Sequence, residues 1–115
     1  KGAGNALVAP KGTKDRVLAL IAASLSDPEL KTGTIATELG ISLRTVQNIF
    51  AALGTTPSAY IQEQRLLRAA EKLAIAKHLS ITEIAFETGF NDSAYFTRCF
   101  RQRFGTTPSL WREQN

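Results

Sequence analysis

One cysteine, one histidine and no methionine occur in these 115 residues. A single cysteine excludes an internal disulfide, and Cys99 with His78 supplies too few donors for a metal site built from protein alone. No apolar run approaches the roughly 18 residues that suggest a membrane span, and nothing has the layout of a signal peptide. A reducing cytoplasm is the expected compartment. There is no nucleophile–base pair, carboxylate dyad or metal set, so no enzyme and no cofactor is expected. Acids are missing locally too. Residues 93–112 hold Arg98, Arg101, Arg103 and Arg112 without one Asp or Glu.

What is present suits one domain with a true core: 43% of residues are hydrophobic, enough to argue against wholesale disorder. The formal charge is +4. A positive balance invites an anionic partner without proving one. Its distribution says more. Residues 44–77 set Arg44, Arg65, Arg68, Lys72 and Lys77 against Glu63 and Glu71, whereas Asp15, Asp27, Glu29 and Glu38 lie in the N-terminal part.

Glycine, proline and capping residues punctuate the chain. Residues 1–12 carry three glycines and a proline with little periodicity, and are expected to be a flexible lead-in or linker. Val17, Leu18, Leu20, Ile21 and Leu25 then recur at helical spacing up to Asp27-Pro28. A short helix is expected near Thr34–Leu39, closed by Gly40, and a second from a Ser42 cap to about Leu53, stopped by Gly54. Thr56-Pro57 restarts the chain into the longest helix, to about Ala76. Ser80 with Glu83 reads as a capping box for a short helix closing at Gly89. Asp92 caps another helix running to Phe104, and Gly105-Thr106-Thr107-Pro108 repeats the stop and restart. No segment reads as a strand; the fold class is all-α.

Two stretches of the chain resemble each other. Ile35-Ala36-Thr37-Glu38-Leu39-Gly40-Ile41 matches Ile84-Ala85-Phe86-Glu87-Thr88-Gly89-Phe90 at an offset of 49. Ser42 and Phe50 match Asp92 and Phe100 at 50, and Gly54-Thr55-Thr56-Pro57-Ser58 returns as Gly105-Thr106-Thr107-Pro108-Ser109 at 51. Each step adds one residue at a turn or helix end. Each copy is a short helix, a glycine turn with an apolar residue for the corner (Ile41 or Phe90), and a longer capped helix. That is the layout of a helix-turn-helix; two helical hairpins packed for stability alone fit the turn spacing equally well.

The longer helices favour the first reading. At about 100° per residue, Val46, Ile49, Phe50 and Leu53 share one stripe, opposite Arg44, Gln47, Asn48 and Ala51. In the second copy Phe96, Cys99, Phe100 and Phe104 lie opposite Ala94, Thr97, Arg98 and Arg101. The outward sets hold no acid. Arginine can grip guanine O6 and N7, asparagine or glutamine can grip adenine, and threonine can meet a thymine methyl. A solvated face chosen for solubility would usually mix in acids, as Gln62, Glu63, Glu71 and Lys72 do on the central helix. Twenty residues from Pro57 to Ala76 span roughly 30 Å, near the ~34 Å of one DNA turn. Tyr60, Ile61, Leu66, Leu67, Ala70 and Leu73 are the expected core stripe of that helix.

The segment Ile84 to Ser109, with Tyr60, Arg65, Ala69 and Leu73 and then Leu39-Gly40, Ser42 and Phe50, resembles the DNA-binding domain of AraC/XylS-type transcription regulators over about residues 13–113. The resemblance implies seven helices, with two helix-turn-helix subdomains (about 34–53 and 81–104) joined by a linker helix at about 57–76, in a domain spanning 13–115. It implies sequence-specific binding of double-stranded DNA and transcription regulation, with recognition helices in successive major grooves. Base contacts are implied for Arg44, Gln47, Asn48, Ser93, Ala94, Thr97 and Arg98. RNA polymerase is an expected partner and no membrane is expected; family members commonly carry an effector or dimerisation domain, so the glycine-bearing start favours a fragment over a stand-alone regulator. Two positions depart from the family pattern. Lys31 replaces a small capping residue, so the first short helix is expected to begin late or fray, and Ala94 can meet only a thymine methyl or nothing.

Arg101, Arg103 and Lys77 are expected at phosphates, which position a protein without carrying sequence information. Thr106 and Thr107 can donate to phosphate, although capping of the last helix also explains them. Arg65 reads as an internal tie, Cys99 as a small core residue and Trp111 as the anchor of the final helix. A protein-interaction module that has lost DNA reading is the competing class; acids or apolar patches on the outward faces would mark it.

Overall fold

The structure, a computed structural model, describes residues 12–115. Apart from Gly12, the expected lead-in lies outside them. Seven helices and no strand occur among the described residues: α1 (Thr13–Ser24), α2 (Thr32–Leu39), α3 (Leu43–Ala52), α4 (Pro57–Ile75), α5 (Ile81–Glu87), α6 (Ser93–Phe104) and α7 (Pro108–Gln114). They form two compact units. The first takes in 12–24 and Glu29–Ile61, the second Leu25–Pro28 and Gln62–Asn115, so the division falls inside α4.

In the first unit, side chains four apart on each helix turn inward: Val17 and Ile21 on α1, Val46 and Phe50 on α3, joined by Ile35 and Ala36 of α2. Phe50 is fully buried, which stabilises by roughly 1.5–3 kcal/mol. Its ring meets Tyr60, with centroids 5.1 Å apart. Ser42 starts α3 by accepting the Thr45 N–H at 3.0 Å. Gly40 closes α2 at φ +67°, and the next amide, Ile41 N–H, reaches back to the Ala36 carbonyl at 3.0 Å. Ile41 is half-buried at that corner.

Three local expectations change. Helix α2 begins at Thr32, not near Thr34. Lys31 offers no side-chain cap, but the Thr34 hydroxyl accepts the Lys31 N–H and donates to the Lys31 carbonyl, both at 2.9 Å. That is the reach-back half of a capping box, and it supplies the start that a small capping residue would have given. Leu53, expected on the buried stripe, is 43% exposed. Helix α3 ends at Ala52, and Leu53 takes the cap conformation (φ −89°, ψ 1°), where helical phase no longer sets its direction. Leu67, expected in the core of α4, is 42% exposed, while its neighbours Leu66 and Ala70 are buried.

The second unit is built on Leu66, Ala69, Ala70 and Leu73 of α4, Ile84 and Ala85 of α5, Phe90 at the turn, and Phe96, Cys99 and Phe100 of α6. Spacing of four along α6 stacks Phe96, Phe100 and Phe104 on one face, with centroids 5.7 and 4.6 Å apart. Trp111 of α7 completes the row 5.1 Å from Phe104, and its indole N–H donates to the Ala70 carbonyl at 3.0 Å. The half-buried indole thus has a partner for its one polar group. Arg112 then caps the end of α4, donating to the carbonyls of Leu73 (3.1 Å) and Ala76 (3.2 Å). Helix α4 stops at Ile75, one residue before the expected end, although the Ala76 N–H still bonds Lys72 at 2.7 Å.

Helix α5 has the expected capping box. Ser80 Oγ accepts the Glu83 N–H at 3.0 Å, and Glu83 Oε1 accepts the Ser80 N–H at 2.8 Å. The Ser80 backbone bond, foremost, holds the Glu83 carboxyl below its ordinary pKa. Thr88, the counterpart of Leu39, is fully buried, and its hydroxyl donates to Ile84 at 2.8 Å.

Candidate nucleic-acid interface

Helix α3 exposes Arg44, Gln47, Asn48 and Ala51 on one face, while Val46 and Phe50 hold the other in the core. The side chains of Arg44, Gln47 and Asn48 make no hydrogen bond, ion pair or ring contact among the described residues. Among the described residues, three strong hydrogen-bonding groups therefore keep their capacity unspent, and no acid stands on the helix to pair with Arg44.

Helix α6 begins on Asp92, whose Oδ1 accepts the N–H groups of Ala94 (2.8 Å) and Tyr95 (3.1 Å). A carboxylate cap suits the positive end of the helix. Ala94, Arg98 and Arg101 are exposed, and Ser93 and Thr97 half-buried. Arg98 lies over the ring of Tyr95, with Cζ 5.5 Å from the centroid. Tyr95 is 43% exposed, and its i, i+3 spacing from Arg98 is the one signal in the sequence that marks it. Its hydroxyl donates to Gln62 Oε1 at 3.0 Å. The neighbouring Cys99 thiol, first, and then burial hold that phenol above its ordinary pKa, against the opposing charge of Arg98.

The residues expected at phosphates divide. Arg101 is exposed with no internal partner among the described residues. Arg103 grips Glu63 with two nitrogens, Nε at 2.8 Å and Nη2 at 2.8 Å, and that hydrogen bond holds the Glu63 carboxyl below its usual range while raising the Arg103 pKa. Lys77 donates from Nζ to the Arg112 carbonyl at 3.0 Å. Thr107 caps α7, accepting the Leu110 N–H at 3.2 Å, and Thr106 is half-buried beside it. Arg65 acts inside the fold, donating to the carbonyls of Leu25 and Asp27.

A family model described as a helix-turn-helix domain matches residues 35–114, the segment that carries both repeats. The transcriptional activator NphR of Rhodococcus is 37% identical over 100 residues, a match that takes in 87% of this chain and 30% of NphR. A solved transcriptional regulator from Chromobacterium violaceum, described as having an AraC-type DNA-binding domain, is 35% identical, superposes with a TM-score of 0.78, and covers 86% of this chain and 88% of its own. The chain belongs to the AraC-type helix-turn-helix family. It is a DNA-binding domain of the kind used in transcription regulation. The DNA-binding domain of the global transcriptional factor AdpA, solved in complex with a target DNA, is similar to this AraC-type domain: TM-score 0.82, 26% identity, 90% of this chain and 93% of that one. The chain spans about 30% of the length of NphR. No helix among the described residues of the AraC-type domain is long and apolar enough to cross a membrane.

Proposed function

We propose that this DNA-binding domain reads duplex DNA through α3 and α6, each placed in one of two successive major grooves, as part of a larger transcription regulator. The observation that carries this reading is the pair of acid-free outward faces, Arg44/Gln47/Asn48/Ala51 and Ala94/Thr97/Arg98/Arg101, at equivalent positions of the two repeats. Arg44 and Arg98 suit guanine, Gln47 and Asn48 suit adenine, and Thr97 and Ala94 can meet thymine methyls. Ser93, in the first turn of α6, offers its hydroxyl to a base edge or a backbone oxygen. Arg101 supplies sequence-independent attraction to phosphate, with Thr106 and Thr107 beside it. Arg103 and Lys77 serve first as internal ties, because phosphate contact would require them to leave Glu63 and the Arg112 carbonyl.

The chemistry is recognition, with no bond made or broken. RNA polymerase is the partner through which bound regulator changes transcription, the cytoplasm is where both meet, and effector response or dimerisation belongs to further parts of the regulator.

Fluorescence-anisotropy titration tests the reading. The domain is added to the DNA upstream of its own gene and to a scrambled duplex, at low and near-physiological salt. Preference for the upstream DNA that survives the higher salt supports base reading. No binding even at low salt points instead to a protein-interaction module.

A further inference from the structure

The Arg98 guanidinium, unlike that of Arg44, has a ring contact among the described residues. It rests 5.5 Å above the Tyr95 ring, within the ~6 Å range of a cation–π contact. The ring is fixed from two further directions. Phe90, buried in the core, packs 6.3 Å from it at 53°, and Gln62 of α4 accepts its hydroxyl at 3.0 Å. A guanidinium lying on an aromatic face keeps its N–H donors in its own plane, pointing outward and available for a bidentate bond. An arginine so placed loses less rotamer freedom when it meets a base.

Among the described residues the first repeat has no such device. The residue equivalent to Tyr95 is Thr45, whose hydroxyl bonds Ser42 at 2.9 Å within the N-cap of α3. Among the described residues, no aromatic ring lies under Arg44, Gln47 or Asn48. On the reading that Arg98 contacts a base, we propose that Tyr95, anchored by Gln62, is a positioning residue that sets sequence specificity by holding the Arg98 guanidinium ready for one guanine edge. The second helix-turn-helix is then the pre-set reader, and the first adapts its side chains on arrival.

The test compares discrimination at single base pairs. Wild type, Arg98→Ala, Tyr95→Phe, Tyr95→Leu, Gln62→Ala and the double variant Tyr95→Leu/Arg98→Ala are titrated at one salt concentration against the preferred duplex and a set of single-pair substitutions. Arg98→Ala identifies the base pair that Arg98 reads. Tyr95→Leu is expected to lower discrimination at that pair alone by about 2- to 5-fold, the worth of an exposed cation–π contact. Tyr95→Phe and Gln62→Ala, which keep the core contacts, are expected to lower it at the same pair by less, and they carry the test if Tyr95→Leu does not fold. In the Arg98→Ala background Tyr95→Leu should change discrimination no further. Equal loss of affinity across all duplexes, or an unchanged effect of Tyr95→Leu without Arg98, would overturn the positioning role while leaving base reading by Arg98 intact. If Arg98→Ala alone leaves every base preference unchanged, the underlying reading falls and the positioning role with it.

Discussion

Arg65 and Gly89 share one contact: the guanidinium of Arg65 lies where a Cβ on Gly89 would have to go. Arg65 Nε donates to the Leu25 carbonyl at 3.0 Å, and Nη2 to the Asp27 carbonyl at 2.7 Å. The fork thus ties the Asp27-Pro28 segment to α4 and to the turn of the second helix-turn-helix, all within the second unit. Burial lowers the Arg65 pKa, with the Asp27 charge opposing, yet a guanidinium remains charged at any working pH. The equivalent glycine of the first repeat, Gly40, has nothing within 4 Å of a notional Cβ. The two turns look alike in sequence and differ in what surrounds them.

Gly89→Ala should therefore be far more damaging than Gly40→Ala. Gly40 needs only its left-handed φ of +67°, so alanine costs about 1–2 kcal/mol there. Gly89, at φ +102°, adds overlap with the Leu25 carbonyl and Arg65, for roughly 2–5 kcal/mol in total. Urea unfolding midpoints compare the two. Arg65→Ala should not rescue Gly89→Ala, since the Leu25 oxygen still stands in the way.

Arg65→Ala by itself leaves two carbonyls without their charged donor and should destabilise by about 1–3 kcal/mol. Arg65→Lys keeps the charge but not the fork, and should recover only part of the loss. Full recovery in thermal melts would show that charge alone matters at this position.

The Glu63–Arg103 pair gives stability a pH dependence of defined sign. Arg103 depresses the folded-state pKa of Glu63 below its ordinary value of 4.5. The stabilisation is complete above that ordinary value and is lost as pH falls through the folded one. The melting-temperature gap between wild type and Glu63→Gln should be open near about pH 7 and close in acid. With side chains 37% and 43% exposed, the gap is small and shrinks in salt. A gap that stays open unchanged in acid would assign the difference to packing.

Arg101→Ala should weaken binding to every duplex alike and reduce the salt slope by about one. Arg103→Ala and Lys77→Ala should change that slope less, because both cations already hold internal partners. A larger slope change for Arg103 than for Arg101 would show that DNA takes Arg103 from Glu63.

Much of the fold is legible in the sequence because its punctuation is local. Ser42, Ser80, Asp92 and Thr107 each accept an N–H two or three residues on, so residue type at one position announces a helix start. The outward faces of α3 and α6 follow from helical phase once Phe50 and Phe100 are seen to be core. Phase fails at Leu53, where the helix has ended, and at Leu67, which lies beside the buried stripe of α4. Distant partners are hidden altogether. Counting charge marks Lys77 and Arg103 as available, but each meets a group 35 or 40 residues away along the chain. The Tyr95–Gln62 bond is hidden for the same reason, across 33 residues.

Selection of duplexes from a random pool by the wild-type domain, and by its Arg44→Ala and Arg98→Ala variants, tests the two-helix reading most directly. The wild type is expected to enrich two short base patterns about 10–10.5 base pairs apart. Arg98→Ala should erase a preference within one pattern, and Arg44→Ala within the other. If both variants bind more weakly but enrich the same two patterns as the wild type, neither arginine reads bases and the account of α3 and α6 is contradicted.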